Sequence, residues 1–242
     1  MLPKILQYTF TIEIPSIKKK VEFRPFLEKE RQVLLMILET EASDIFEHLR
    51  KLISACSMDS KLNIDDLTSF DVEYIFLQLR AKSIGEIMSP TFQCKNEISE
   101  EKVCDNIITV DVDLTKVTIP ELVNEYKVEI NSELGIVFKY PTFKVLENLE
   151  SSNFQTDSRE YLYHLVAGCI DYIYDKDSVY YGKEHSTDDL IDFLTSLTFD
   201  QFKKIEQFIQ KIPMVQYHIK KKCNKCGYDH DFLLEGYESF FV

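Results

Sequence analysis

The sequence has six glycines in 242 residues, and no two of them stand close enough for a phosphate-cradling loop of the G-x-G-x-x-G or G-x-x-x-x-G-K kind. Nucleotide binding through such loops is excluded. Basic charge is also short: 28 Lys and Arg face 41 Asp and Glu, giving a formal net charge of −13. Phosphate recognition draws its affinity from clustered Lys and Arg, so a general role on nucleic acid is not expected. Long apolar runs are missing. The longest, Val33 to Leu38, falls far short of the ~20 residues that cross a bilayer, and no membrane span is expected. The opening MLPKILQYTFTIEIPS has a proline at position 3 and alternating residues where a secretory signal needs an unbroken apolar core, so the chain reads as mature and cytoplasmic. Cysteine is too sparse, at six, for a disulfide scaffold. Reduced thiols or metal ligands are left.

What is present is enough to fold: hydrophobic residues at 45% and charged residues at 29% are ordinary for a globular chain. YTFTIEI (8–14) and KVEFRPF (20–26) alternate apolar and polar side chains about Pro15–Lys19, which predicts a β-hairpin. From Leu27 to Cys56 the apolar spacing becomes helical and predicts two helices broken near Glu41–Ser43. FDVEYIFLQLRAKSIG (70–85) is a third helix with a glycine stop. Strand patterns follow at 86–94, 106–114, 126–130 and 134–140. Helical patterns return in TFKVLENL, SREYLYHLVAGCIDYIY, STDDLIDFLTSL and FDQFKKIEQFIQKI, where Ser186 and Asp189 make a capping-box start and Pro213 a stop. MVQYHIKKKC (214–223) is strand-like.

That last strand runs into Cys223-Asn-Lys-Cys226-Gly227, the form of one half of a zinc knuckle, in which two thiolates grip one ion and the glycine lets the backbone turn beneath it. Cys94 ends one predicted strand and Cys104 precedes another, so a hairpin there brings both thiols to its tip. The set Cys94, Cys104, Cys223 and Cys226 predicts a zinc ribbon holding one structural zinc, in a looser C-x9-C … C-x2-C spacing. Free thiols are the second reading. A redox pair is the third, because no helix is expected to start at the C-x-x-C. His230 is an alternative ligand, though a histidine so placed is more often a surface residue. Lys220, Lys221, Lys222 and Lys225 either balance the charge of a four-thiolate centre or mark a solvated strand end. Cys56 and Cys169, at apolar helical positions, read as small buried hydrophobes.

Nothing catalytic stands out. Asp111 and Asp113 alternate as on the wet face of a strand, and Asp229-His230-Asp231 lacks a nucleophile motif beside it. Tyr161, Tyr163, Tyr172, Tyr174, Tyr180 and Tyr181 concentrate on one helix and its exit. Most of these belong to a core, and the surplus suits a protein-contact surface.

IPSIKKKVEFRPFLEKERQVLLM (14–36), DLTSFDVEYIFLQLRAKSIGE (66–86) and the ending CNKCGYDHDFLLEGYESFF together resemble the baseplate hub family of T-even-type contractile-tailed phages. The resemblance implies a non-enzymatic late protein, a baseplate hub subunit or a hub assembly factor, whose partners are other hub proteins, in the infected host cytoplasm during assembly or in the virion tail. It carries no catalytic residues. Among the matched residues Phe23, Arg24, Pro25 and Phe26, Pro25 shapes the strand exit, and Arg24 either pairs with Glu28 or Glu30 or faces a partner. Arg24, Tyr163, Tyr174 and Tyr181 are the candidate partner-binding residues. A zinc-ribbon regulator binding nucleic acid or a host protein is the alternative function. The expected fold is α+β: β-hairpin and zinc-ribbon-like sheet parts (1–26, 85–140 and 213–242) with helical blocks at 27–84 and 142–212.

Overall fold

The computed structural model describes residues 5–39, 45–99, 102–123, 125–152 and 154–240. The first hairpin forms as the alternation requires. β1 (Phe10–Ile14) pairs antiparallel with β2 (Lys19–Phe23), and Ile12, Ile14, Val21 and Phe23 all point into the core. Helices α1 (Glu28–Glu39), α2 (Ile45–Cys56) and α3 (Ser69–Ser83) follow. The break expected near Glu41–Ser43 lies outside the described residues. α3 is buried on most sides, through Phe70, Val72, Ile75, Phe76, Leu77 and Leu79, and is the central helix of the first core. Its start is fixed by a buried carboxylate. Asp71 forms a capping box with Thr68 and also accepts from the Ser16 N–H at 2.9 Å and from the Ser16 hydroxyl, tying the first hairpin turn to the helix.

The middle of the chain rises as one long stepped hairpin. β3 (Ile87–Met88) pairs with β8 (Val112–Asp113), β4 (Thr91–Gln93) with β7 (Ile107–Thr109), and β5 (Glu97–Ser99) with β6 (Lys102–Val103) at the tip. The single strands expected at 86–94 and 106–114 are therefore each cut in two, the first at Ser89–Pro90, where a proline cannot donate to the ladder. β13 (Gln216–Lys222) and β14 (Asp229–Glu235) make a second hairpin beside it, and both belong to the first core.

A four-stranded antiparallel sheet in the order β12-β11-β10-β9 carries the second core. It is built from β9 (Tyr126–Glu129), β10 (Gly135–Phe138), β11 (Ile170–Tyr174) and β12 (Val179–Tyr181). Its helices are α4 (Phe143–Ser151), α5 (Arg159–Cys169), α6 (Thr187–Thr195) and α7 (Phe199–Ile209). α6 begins at the expected Ser186/Asp189 capping box, and α7 has its own at Thr198/Gln201. One expectation is corrected. The run SREYLYHLVAGCIDYIY is not one helix: α5 stops at Cys169 and the chain turns directly into β11. Ile170, Tyr172, Ile173 and Tyr174 fit a strand as well as a helix, and pairing with β10 decides the matter. β9 and β10, grouped in the sequence reading with the zinc-ribbon strands, pair with β11 and line the second core instead.

Arg50 on α2 joins the two halves, bonding Asp65 and Glu147 of α4 at 2.7 Å each, and Phe46 meets Phe143 nearby. With seven α-helices and fourteen short strands among the described residues, the fold is α+β.

Candidate metal centre

The two hairpins of the first core bring four sulfurs together. Cys94 follows β4 and Cys104 precedes β7, so they face each other where the long hairpin narrows, and the β5–β6 finger fills the residues between them. That finger explains the loose spacing: it is an insertion inside a knuckle. The other pair sits in the turn between β13 and β14. There the Cys223 N–H donates to the Tyr228 carbonyl at 2.8 Å and the Gly227 N–H to the Cys223 carbonyl at 2.9 Å, with Gly227 at φ 77°, a conformation that favours glycine.

All four Sγ atoms lie within 4.8 Å of one another. Cys94 and Cys226 are 3.7 Å apart and Cys104 and Cys223 3.9 Å, with no disulfide among them. A tetrahedral four-thiolate zinc with Zn–S near 2.3 Å spaces its sulfurs by about 3.8 Å. The donor set therefore fits such an ion in number, chemistry and spacing. Three of the four are buried, and Cys226 is partly exposed.

The surroundings direct hydrogen-bond donors at the second cysteine pair. The Cys94 N–H donates to the Asn106 carbonyl at 2.8 Å and the Cys104 N–H to the Asn96 carbonyl at 2.7 Å, a reciprocal clasp across the hairpin. The two asparagine side chains then reach the opposite pair: Asn96 Nδ2 lies 3.7 Å from Cys226 Sγ and Asn106 Nδ2 3.5 Å from Cys223 Sγ. Backbone N–H groups of Cys226 and Lys225 pull the Cys223 thiol down to about 6, while burial pushes Cys94 up to about 12. Lys225 supplies a cation at the turn, tied to Asp105. Four thiolates cannot share such a space unless a cation offsets their repulsion, and a divalent metal does so.

Sequence reasoning missed the asparagines, whose signal was a repeated Cys-x-Asn at 94–96 and 104–106. It left His230 open between an alternative ligand and a surface residue. His230 faces inward from β14, with Nε2 at 3.1 Å from Cys94 Sγ and its ring stacked on Phe232, which stacks on Phe92. Such groups orient and screen metal-binding thiolates from the second layer.

The remaining candidates are dispersed. Arg24 turns inward and forms a two-pronged pair with Glu30, at 2.9 and 3.2 Å, on a side chain 15% exposed. Tyr163 lies on α5, edge-on to Phe202 beside the second core. Tyr174 and Tyr181 do come together, on the outer face of the four-stranded sheet, with Tyr172 between them. Asp111 accepts from Ser89 and Asp113 caps the turn at Thr115. Cys56 and Cys169 are buried, and burial raises both thiols, Cys56 to about 11. No described helix is long and apolar enough to cross a membrane.

The protein is thus an acidic α+β fold with four clustered cysteines on one half and a tyrosine-bearing sheet on the other. The chain belongs to the family described as T4 bacteriophage base plate protein, whose family model matches residues 5–242. It is 23% identical over 240 residues to the baseplate hub assembly protein gp26 of Enterobacteria phage T4, covering 97% of this chain and 98% of that one. No solved structure matches it.

Proposed function

We propose that this chain acts in phage baseplate hub assembly, as a hub subunit or assembly factor, through protein–protein contacts and without catalysing a reaction. The observation that carries this reading is the match along essentially the whole chain to a baseplate hub assembly protein. Its partners are then other hub proteins of the same phage, met in the infected host cytoplasm, and the finished tail baseplate is where a permanent subunit would stay.

The four cysteines hold a structural zinc in this reading. Bound there, the ion would add a cross-link between two hairpins already joined by Asn96, Asn106, His230 and the Lys225–Asp105 pair. Asn96, Asn106 and His230 hold the sulfurs in place, and Lys225 offsets their charge. The outward face of Tyr172, Tyr174 and Tyr181 supports a contact surface, since a half-exposed tyrosine presents a large apolar body with a polar tip. Arg24 supports it only indirectly, by fixing the exit of β2.

Phage lacking the chain should build heads but no complete baseplates, and mass spectrometry of purified tails should separate a retained subunit from a transient factor. Complete, infectious tails made without it would overturn the reading.

A further inference from the structure

The second half of the molecule has an open sheet edge beside an apolar cavity. β12 ends the four-stranded sheet, and Val179, Tyr180 and Tyr181 are 50%, 42% and 46% exposed. The Asp175 N–H bonds the Ser178 carbonyl at 3.0 Å, so the alternation of an antiparallel ladder makes Tyr180 and Ile173 the next bonded pair. Val179 and Tyr181 then turn their N–H and C=O groups outward, to the free edge.

Tyr180 and Ile173 share the inner face of the sheet. With Leu134 from the β9–β10 turn and Leu190 and Phe193 from α6 they line a cavity of about 330 Å³. Its rim carries the carboxylates of Asp175 and Asp189. The segment that builds the mouth, 175–192, holds Asp175, Asp177, Glu184, Asp188, Asp189 and Asp192 against Lys176 and Lys183, with His185 beside them on the cavity wall.

We infer that β12 and this cavity receive an extended, basic segment of a partner protein, which adds a fifth strand to the sheet and seats one apolar side chain between β12 and α6. A strand laid along β12 places the side chain opposite Tyr180 on the same face, at the cavity mouth. Lysines or arginines at its neighbouring positions meet the acidic rim. A second copy of this chain is the poorer occupant, since it brings a net charge of −13 to an acidic rim. The inference rests on the assembly reading and names the site and the chemistry of the partner.

The probe is a fluorescein-labelled peptide, Lys-Val-Lys-Leu-Lys-Val-Arg, with a Glu-for-Lys/Arg version as control, titrated into the full chain and followed by anisotropy. The basic peptide should bind at least tenfold more tightly than the acidic one, and less tightly as salt rises. Val179→Pro removes an outward N–H that makes no bond in the fold, and Tyr180→Arg puts a cation beside Asp175. Each should weaken binding tenfold or more with an unchanged circular dichroism spectrum. Equal binding of the two peptides, or wild-type binding by both folded variants, would overturn the inference. In phage, loss of the chain tests the assembly reading itself. If that loss blocks tails and Val179→Pro restores them fully, the assembly reading stands and the edge-strand site falls.

Discussion

Cys223 sits where the most bonds converge on one sulfur: two backbone N–H groups, the Asn106 amide and the neighbouring Cys104. Purified protein should contain about one equivalent of zinc by elemental analysis. Cys223→Ser should lose it and unfold at lower temperature, because binding free energy of a structural metal is folding free energy. Metal-free wild type of unchanged stability would refute the zinc reading. Arg24 makes a different claim at the same scale. Its partner Glu30 has a side chain only 6% exposed. Burial pushes that carboxyl up, but bonds from Arg24 and the Leu27 N–H hold it net below its ordinary value. A depressed carboxyl stabilises the fold above its unfolded pKa and loses that contribution as pH falls through the acid range. Arg24→Ala should cost about 2 kcal/mol in urea unfolding at neutral pH, since it leaves the buried carboxylate with only the exposed Lys29 and the Leu27 N–H as partners. A loss below about 1 kcal/mol would show that the pair is solvated.

At the scale of elements, the close packing of turns against strands sets which substitutions are tolerated. A Cβ at Gly182, just past β12, would lie 2.4 Å from the Ile170 carbonyl oxygen, on the backbone of β11. Gly182→Ala should destabilise by about 2 kcal/mol, because backbone cannot move aside as a side-chain tip can. Wild-type stability would mean that β11 and β12 are loosely joined. The α5–β11 junction shows where local pattern fails. Ile170–Tyr174 is apolar and aromatic enough for either period, and β10, distant in sequence, recruits it as a strand. By contrast, β1, β2, α3 and the Ser186 start of α6 were legible, since alternation, helical spacing and capping residues act within a few positions.

Over the whole molecule, the acid excess should prevent salt-sensitive binding to DNA or RNA near physiological ionic strength. Micromolar binding that weakens steeply with salt would favour the nucleic-acid reading. The family was legible from the sequence, in the 14–36 and 66–86 segments and the cysteine-bearing end, and the match over residues 5–242 bears it out. So was the α+β class, because the hydrophobic period switches between two and helical spacing along the chain. The sequence by itself determined the charge, the first hairpin, most of the helices and the four cysteine ligand candidates, all properties of residues and their near neighbours. Tertiary structure alone decided that the β5–β6 finger closes a split knuckle, that Asn96 and Asn106 cross to the opposite sulfurs, that His230 turns inward, and that Tyr174 and Tyr181 share a face with an open edge beside it. Those arrangements arise from pairing between strands far apart in the chain, and no local pattern records which strand a residue will meet.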